Sequence, residues 1–328
     1  MTRYIIRRLL LMIPTLFFIS LVVFFIIQLP PGDFLSSLIA SMTDQGVAVN
    51  HSELAALKER YGLDQPVWVQ YFRWIGGILF HWDFGQSFEW DRPVSELIAG
   101  RLGLTIVLAL ATLFASWLIA LPIGIYSAVR RNAVGSHLAT FFCFIGLAVP
   151  NFLLALVAMF ISLRFFGESV GGLRSPQFID TPWDLPAVVD LVSHLWIPVI
   201  VTGAAGAASL VRILRANLLD ELSKPYVVTQ RAMGHSEWSV ILRYPVPVAI
   251  LPFVSTIGWL LPSLVSGSTI TAIVLNLPTT GPMLLHALLT QDMYLAGGII
   301  LLLSTLTVIG TFLSDLLLAW LDPRVRLA

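Results

Sequence analysis

Six stretches of about 20 or more mostly apolar residues constrain this chain before anything else does. They cover residues 9–28, 104–128, 138–163, 196–214, 246–270 and 296–321. A helix of about 20 apolar residues crosses the hydrocarbon of a bilayer, and a lipid-exposed span must satisfy its backbone polar groups internally. Composition agrees, since only 12% of the residues are charged, against about 25% in an ordinary soluble domain. Nineteen basic and nineteen acidic side chains cannot coat 328 residues. The pattern argues against a soluble enzyme and against disorder, and it predicts an all-α membrane protein with six transmembrane helices. Pro30-Pro31-Gly32 ends the first run and Pro150 interrupts the third. A cleaved signal peptide is the competing reading of the first run. The run is too long for one, and no small-residue cleavage pattern follows it.

Several chemistries find no support in the sequence. Net charge is zero, so no basic field for nucleic acid exists. The two lysines, Lys58 and Lys224, follow Leu57 and Ser223, which excludes a phosphate loop ending in Gly-Lys. One cysteine, Cys143, excludes an intrachain disulfide framework, and six scattered histidines give no local zinc site. No cofactor or metal is expected on this chain. Asp83-Phe84-Gly85 spells the magnesium triplet of kinases, with nothing else of a kinase around it.

Basic residues orient a membrane chain, because short cytoplasmic segments carry the excess of arginine and lysine. With the N-terminus inside, the inner segments hold Arg3, Arg7, Arg8, Arg130, Arg131, Arg212, Arg215, Lys224, Arg231, Arg243, Arg324 and Arg326. Loop 33–100 and loop 164–195, the latter with Asp180, Asp184 and Asp190, are then outside and acid-rich. Both termini are then expected in the cytoplasm, consistent with an even number of spans.

Two polar segments carry helix signals. In the long first loop, Ser52 is suited to cap a helix over 53–61, and Pro66 opens one over 66–80 that carries Trp68, Tyr71, Phe72 and Trp74, an interfacial composition. Between spans four and five, Ser223-Lys224-Pro225 starts a helix, Gly234 suits a left-handed turn, and Ser236-Glu237 restarts a helix that Pro245 stops. Val227, Val228, Ala232, Met233, Trp238 and Val240 make this segment too apolar for a bare surface. Its cover is either the chain's own helices or a partner protein. Asp315 falls inside the sixth run, where a charge needs a counter-charge. A structural ion pair with an arginine near the inner face, such as Arg212 or Arg215, is favoured over a proton relay or a substrate ligand. Residues 203–209, all small, permit close helix contact in span four, with a pore lining as the alternative.

At this point the residues resemble a family. Arg3-Tyr4-Ile5-Ile6-Arg7-Arg8, Leu29-Pro30-Pro31-Gly32-Asp33, Tyr61-Gly62-Leu63-Asp64-Gln65-Pro66, Asp83-Phe84-Gly85-Gln86-Ser87-Phe88, Thr229-Gln230-Arg231-Ala232-Met233-Gly234-His235, Asn276-Leu277-Pro278 and Leu321-Asp322-Pro323-Arg324 occur in order over nearly the whole length. Together they resemble the first, B-type permease subunit of the dipeptide/oligopeptide/nickel class of ATP-binding-cassette importers. The resemblance implies a type I importer permease fold, divided into 1–32 (cytoplasmic end and first transmembrane helix), 33–100 (external helical loop), 101–322 (permease core) and 323–328 (cytoplasmic tail). It implies a second permease subunit, two ATP-binding cassette subunits that carry ATP and magnesium, and an external solute-binding protein. Within the core, 223–243 would be the coupling segment, with Tyr226, Thr229, Arg231, Ala232, Gly234 and Trp238 at the ATPase. Pro262, Ser266, Ser268 and Ala272 would line the translocation path. Gln230, Met233 and His235 depart from the usual coupling motif, and Ala272 stands where relatives often carry an acid. A peptide-like cargo is implied; an opine, oligosaccharide or nickel, or a stand-alone ion-coupled transporter, are the alternatives.

Overall fold

A computed structural model describes residues 2–28, 65–87, 89–167, 171–178, 184–255 and 269–321. Among the described residues the structure is helical, with one isolated bridge between Gln86 and Pro93. The helices are α1 Thr2–Gln28, α2 Val67–His81, α3 Val94–Val129, α4 Val134–Ala148, α5 Asn151–Phe166, α6 Leu185–Leu222, α7 Pro225–Ala232, α8 Glu237–Arg243, α9 Pro245–Ala249, α10 Leu251–Ser255, α11 Thr269–Val274, α12 Thr280–Leu289 and α13 Met293–Leu321. The helix expected over 53–61 lies outside the described residues.

Among the described residues, five helical stretches are long and apolar enough to cross a membrane, and a sixth is obtained if α4 and α5 are one broken span. The first, second, fourth and sixth predicted runs are the apolar parts of the long helices α1, α3, α6 and α13; the third is divided between α4 and α5, and the fifth begins in α9 and α10, with 256–268 outside the described residues. Span four, expected over 196–214, is part of a 38-residue helix α6, about 57 Å at 1.5 Å per residue. It begins at Asp184, whose Oδ1 accepts from Ala187 N at 3.0 Å, with Pro186 in the first turn. Pro150 marks a larger break than an interruption: α4 and α5 meet at 103°. The residue before a proline is driven to extended backbone, and Val149 has φ −89°, ψ 124°.

The chain divides into two compact units. The first comprises Met1–Arg8, Leu104–Pro278 and Thr307–Ala328. Here α6 is the central element. Gly203 lies so close to α3 that an added Cβ would meet Ser116 Oγ at 3.0 Å and Thr112 Cγ2 at 3.2 Å. Thr112 Oγ1 and Thr202 Oγ1 are hydrogen-bonded at 3.1 Å across this approach. The small residues of 203–209 thus serve helix contact. One apolar cluster gathers Leu113, Leu210, Leu214, Leu218, Ile241 and Phe253. Another gathers Leu108, Leu173, Leu191, Ala272, Leu275 and Leu277.

The second unit comprises Leu9–Gly103 and Thr279–Leu306. Tyr71, Trp74 and Ile78 of α2 are buried with Val23 and Phe24 of α1, and Ser20 Oγ bonds Tyr71 Oη at 2.8 Å. Trp68, Phe72 and Phe80 remain exposed on the same helix, as an interfacial helix requires. Gly85 has φ +90°, and a Cβ there would lie 2.8 Å from Tyr294 Cδ1. Only glycine fits this position. The Asp292 carboxylate is fully buried, accepts from Ser87 Oγ, and caps the start of α13 through Leu295 N at 3.2 Å.

Candidate functional site

The segment 223–243 forms two short helices around a glycine. Helix α7 begins at Pro225, whose missing N–H is no loss in the first turn. It ends at Met233 and Gly234, the latter with φ +84°, a left-handed value that side chains with a Cβ resist. Ser236 precedes α8, and α8 stops at Arg243, two residues before Pro245. Arg231 spans the turn: its Nε lies 3.0 Å from Glu237 Oε2 and its Nη2 2.6 Å from Glu237 Oε1. That bidentate pair ties α7 to α8 and raises the Arg231 guanidinium above its ordinary pKa.

Each face of the segment has its own fate. Val227, Val240 and Ile241 are fully buried in the chain itself. Val228, Met233, Trp238 and Leu242 are each more than half exposed, and Thr229, Ala232 and Gly234 are exposed beside them. The cover left open by the sequence is therefore supplied by the chain on one face only. Tyr226 is half-buried and turns inward, donating from its hydroxyl to Glu221 Oε2 at 2.6 Å. Burial, and then the carboxylate beside it, pushes its phenol up to about 12. Lys224 Nζ donates to the other oxygen, Glu221 Oε1. The last turn of α6 is thus fastened to the first turn of α7. Glu221 gave no sign in the sequence beyond its place in a polar run.

Of the residues expected along the path, Pro262, Ser266 and Ser268 lie outside the described residues. Ala272 is on α11, its methyl 1% exposed in the cluster with Leu275 and Leu277, and its carbonyl accepts from Leu277 N at 2.7 Å. Asp315 has an arginine counter-charge, but from Arg8 and not from Arg212 or Arg215. Its Oδ2 meets Arg8 Nη1 at 3.0 Å, while Arg215 Nε reaches the Ser127 carbonyl at 3.4 Å. The sequence sets the depth of a charge in a span, not which helix passes beside it. No group of three metal-binding side chains occurs among the described residues.

Residues 120–327 match the family described as binding-protein-dependent transport system inner membrane component. Residues 1–109 match its N-terminal companion. A putative peptide permease protein of Brucella ovis is 33% identical over 99% of both chains. The oligopeptide transport system permease protein AppB of Bacillus subtilis is 32% identical over 99% of this chain and 100% of its own. The dipeptide transport system permease protein DppB of Escherichia coli is 30% identical over 99% of both chains. A multi-pass helical chain with these matches along its length belongs to the family of inner membrane components of binding-protein-dependent transport systems, the permease subunits of ATP-binding-cassette importers.

Proposed function

We propose that this permease forms half of an import pathway for peptides or peptide-like solutes, and that ATPase subunits grip it at 223–243. The supporting observation is the half-covered helix–glycine–helix segment. Its inner face is buried in the chain, and its outer face offers Val228, Met233, Trp238 and Leu242 to a partner. Thr229, Arg231, Ala232, Gly234 and Trp238 form or shape the docking surface, and Tyr226 anchors it to α6 through Glu221. Basic residues orient both termini and this segment to the cytoplasm. A second permease subunit completes the pathway, two cassette subunits supply ATP hydrolysis, and a solute-binding protein delivers cargo to the outer face. This chain itself holds neither ATP nor metal. Peptide cargo is supported by the names of the similar peptide permeases. Ala272, with Pro262, Ser266 and Ser268, belongs to the path.

Mechanically, the buried Glu221 joint makes α7 an extension of α6. When ATP draws the cassettes together, the displaced α7 carries α6 with it. The solute is released inward when they part.

The test is uptake of labelled peptides by vesicles containing the complete transporter. Uptake must depend on ATP, on the binding protein and on this chain. Reporter fusions after Asn132 and Gln230 read as cytoplasmic, and those after Gly167 and Leu285 as external. Uptake in the absence of any cassette subunit contradicts the proposal.

A further inference from the structure

We propose that Asp190 is a positioning residue of the outer gate, clasping loop 171–178, itself bonded to the segment that follows α11, onto the outer end of α6 and so holding the outer end of the path closed. The inference rests on the permease reading above, with loop 164–195 outside and Ala272 on the path.

The clasp is built from both oxygens of one carboxylate. Ser175 N donates to Asp190 Oδ2 at 2.8 Å, and Ser175 Oγ donates to Oδ1 at 2.5 Å. His194, one turn further along α6, places Nδ1 3.5 Å from Oδ1. The Asp190 side chain is 10% exposed, so these are charge-assisted bonds largely shielded from water. Three residues before Ser175, Gly172 turns at φ +89° and its N–H donates to the Leu275 carbonyl at 2.8 Å. Between them Leu173 is 1% exposed, in the same apolar cluster as Ala272, Leu275 and Leu277. Loop 171–178 is thus held at one end by Asp190 and at the other by Leu275, with a leucine plug between. Lifting Leu173 would open the cluster in which Ala272 is buried.

The position of Asp190 gives the clasp its role. It sits in the second turn of α6, whose last turn carries Glu221. Asp190 and Glu221 are 31 positions apart on this helix, about 46 Å at 1.5 Å per residue. One helix therefore bears a carboxylate clasp at each end: Glu221 on the coupling helix and Asp190 on the gate loop. A displacement of α7 reaches α6 through Glu221 and shifts Asp190 against Ser175. Both oxygens bond the same residue, so the clasp releases as a unit. A closed and an open loop are then discrete states that a small bias can exchange.

The experiment uses the complete transporter in lipid nanodiscs. Asp190→Asn and Ser175→Ala are expected to raise ATP hydrolysis without binding protein by about tenfold, as the loss of charge-assisted bonds biases the gate toward opening. Cassette retention stays at the wild-type level. Ser175→Cys with Asp190→Cys, in a Cys143→Ser background, replaces the clasp by a reducible bond. Oxidation is expected to abolish uptake and reductant to restore it. Unchanged basal hydrolysis in Ser175→Ala, or full uptake with the disulfide formed, overturns the proposal. So does an Asp190→Asn chain that only loses yield while the oxidised cysteine pair transports normally. A wild-type chain that retains no cassette subunit marks failure of the permease reading instead.

Discussion

Arg8 Nη1 lies 3.0 Å from Asp315 Oδ2, joining the second turn of α1 to the last turns of α13. The Arg8 side chain is 43% exposed and that of Asp315 is 19% exposed, so the two partners are not equivalent. Arg8 can reach water when alone, whereas Asp315 is left partly buried.

Unequal losses are expected. Asp315→Asn lowers stability by less than about 1 kcal/mol, since the exposed arginine is screened. Arg8→Ala costs about 1–3 kcal/mol, because it strands the carboxylate. Thermal unfolding in detergent should rank the variants in that order, with the double substitution close to Asp315→Asn. Equal losses would mean that Asp315 is solvated.

Gly85 is fixed by geometry that the kinase-like triplet concealed. Gly85→Ala meets the Tyr294 ring and a φ of +90° together, with an expected loss of about 1–3 kcal/mol. Gly76, inside α2 with nothing near its Cβ position, provides the contrast. Gly76→Ala is expected to be neutral or to gain up to about 1 kcal/mol. Paired unfolding midpoints decide between them.

Tyr226 yields a pH signature. Its phenol is raised from an ordinary value of 10.0 to about 12, so the folded chain holds this proton more tightly than the unfolded one. The associated stability is complete below about pH 10 and is lost as pH rises toward 12. Difference absorbance against Tyr226→Phe should show this tyrosinate only near the upper value. Appearance near pH 10 would mean that the Glu221 bond is absent.

What was legible in the sequence was local. Pro66, Pro225, Gly234 and Pro245 act on their own backbones, and each marks a boundary or turn where the structure has one. Apolar length announced the long helices α1, α3, α6 and α13 for the same reason. What escaped was pairing across distance. Asp190 with Ser175, Gly172 with Leu275, and Asp292 with Ser87 are separated by 15, about 100 and 205 residues. No period in the chain encodes them. Pro150 foretold a break, but its 103° angle depends on what α4 and α5 pack against. Glu221 looked like one more acid in a charged loop, and only the fold turns it inward toward Tyr226 and Lys224.

Gly234→Val decides whether 223–243 holds the cassettes. Gly234 has open space around its Cβ position, so the substitution collides with nothing. It acts through the φ of +84° alone, which a β-branched residue resists by about 1–3 kcal/mol. Relieving that strain swings α7 against α8 and disrupts the surface of Val228, Met233 and Trp238. At 1.4 kcal/mol per factor of ten, association should fall about tenfold or more. The complex is purified through a tag on this chain, and cassette subunits are counted per permease pair. The variant is expected to insert and pair with the second permease subunit but to lose its cassettes, or to keep them without solute-stimulated hydrolysis. A Gly234→Val transporter with stoichiometric cassettes and full uptake would contradict that expectation.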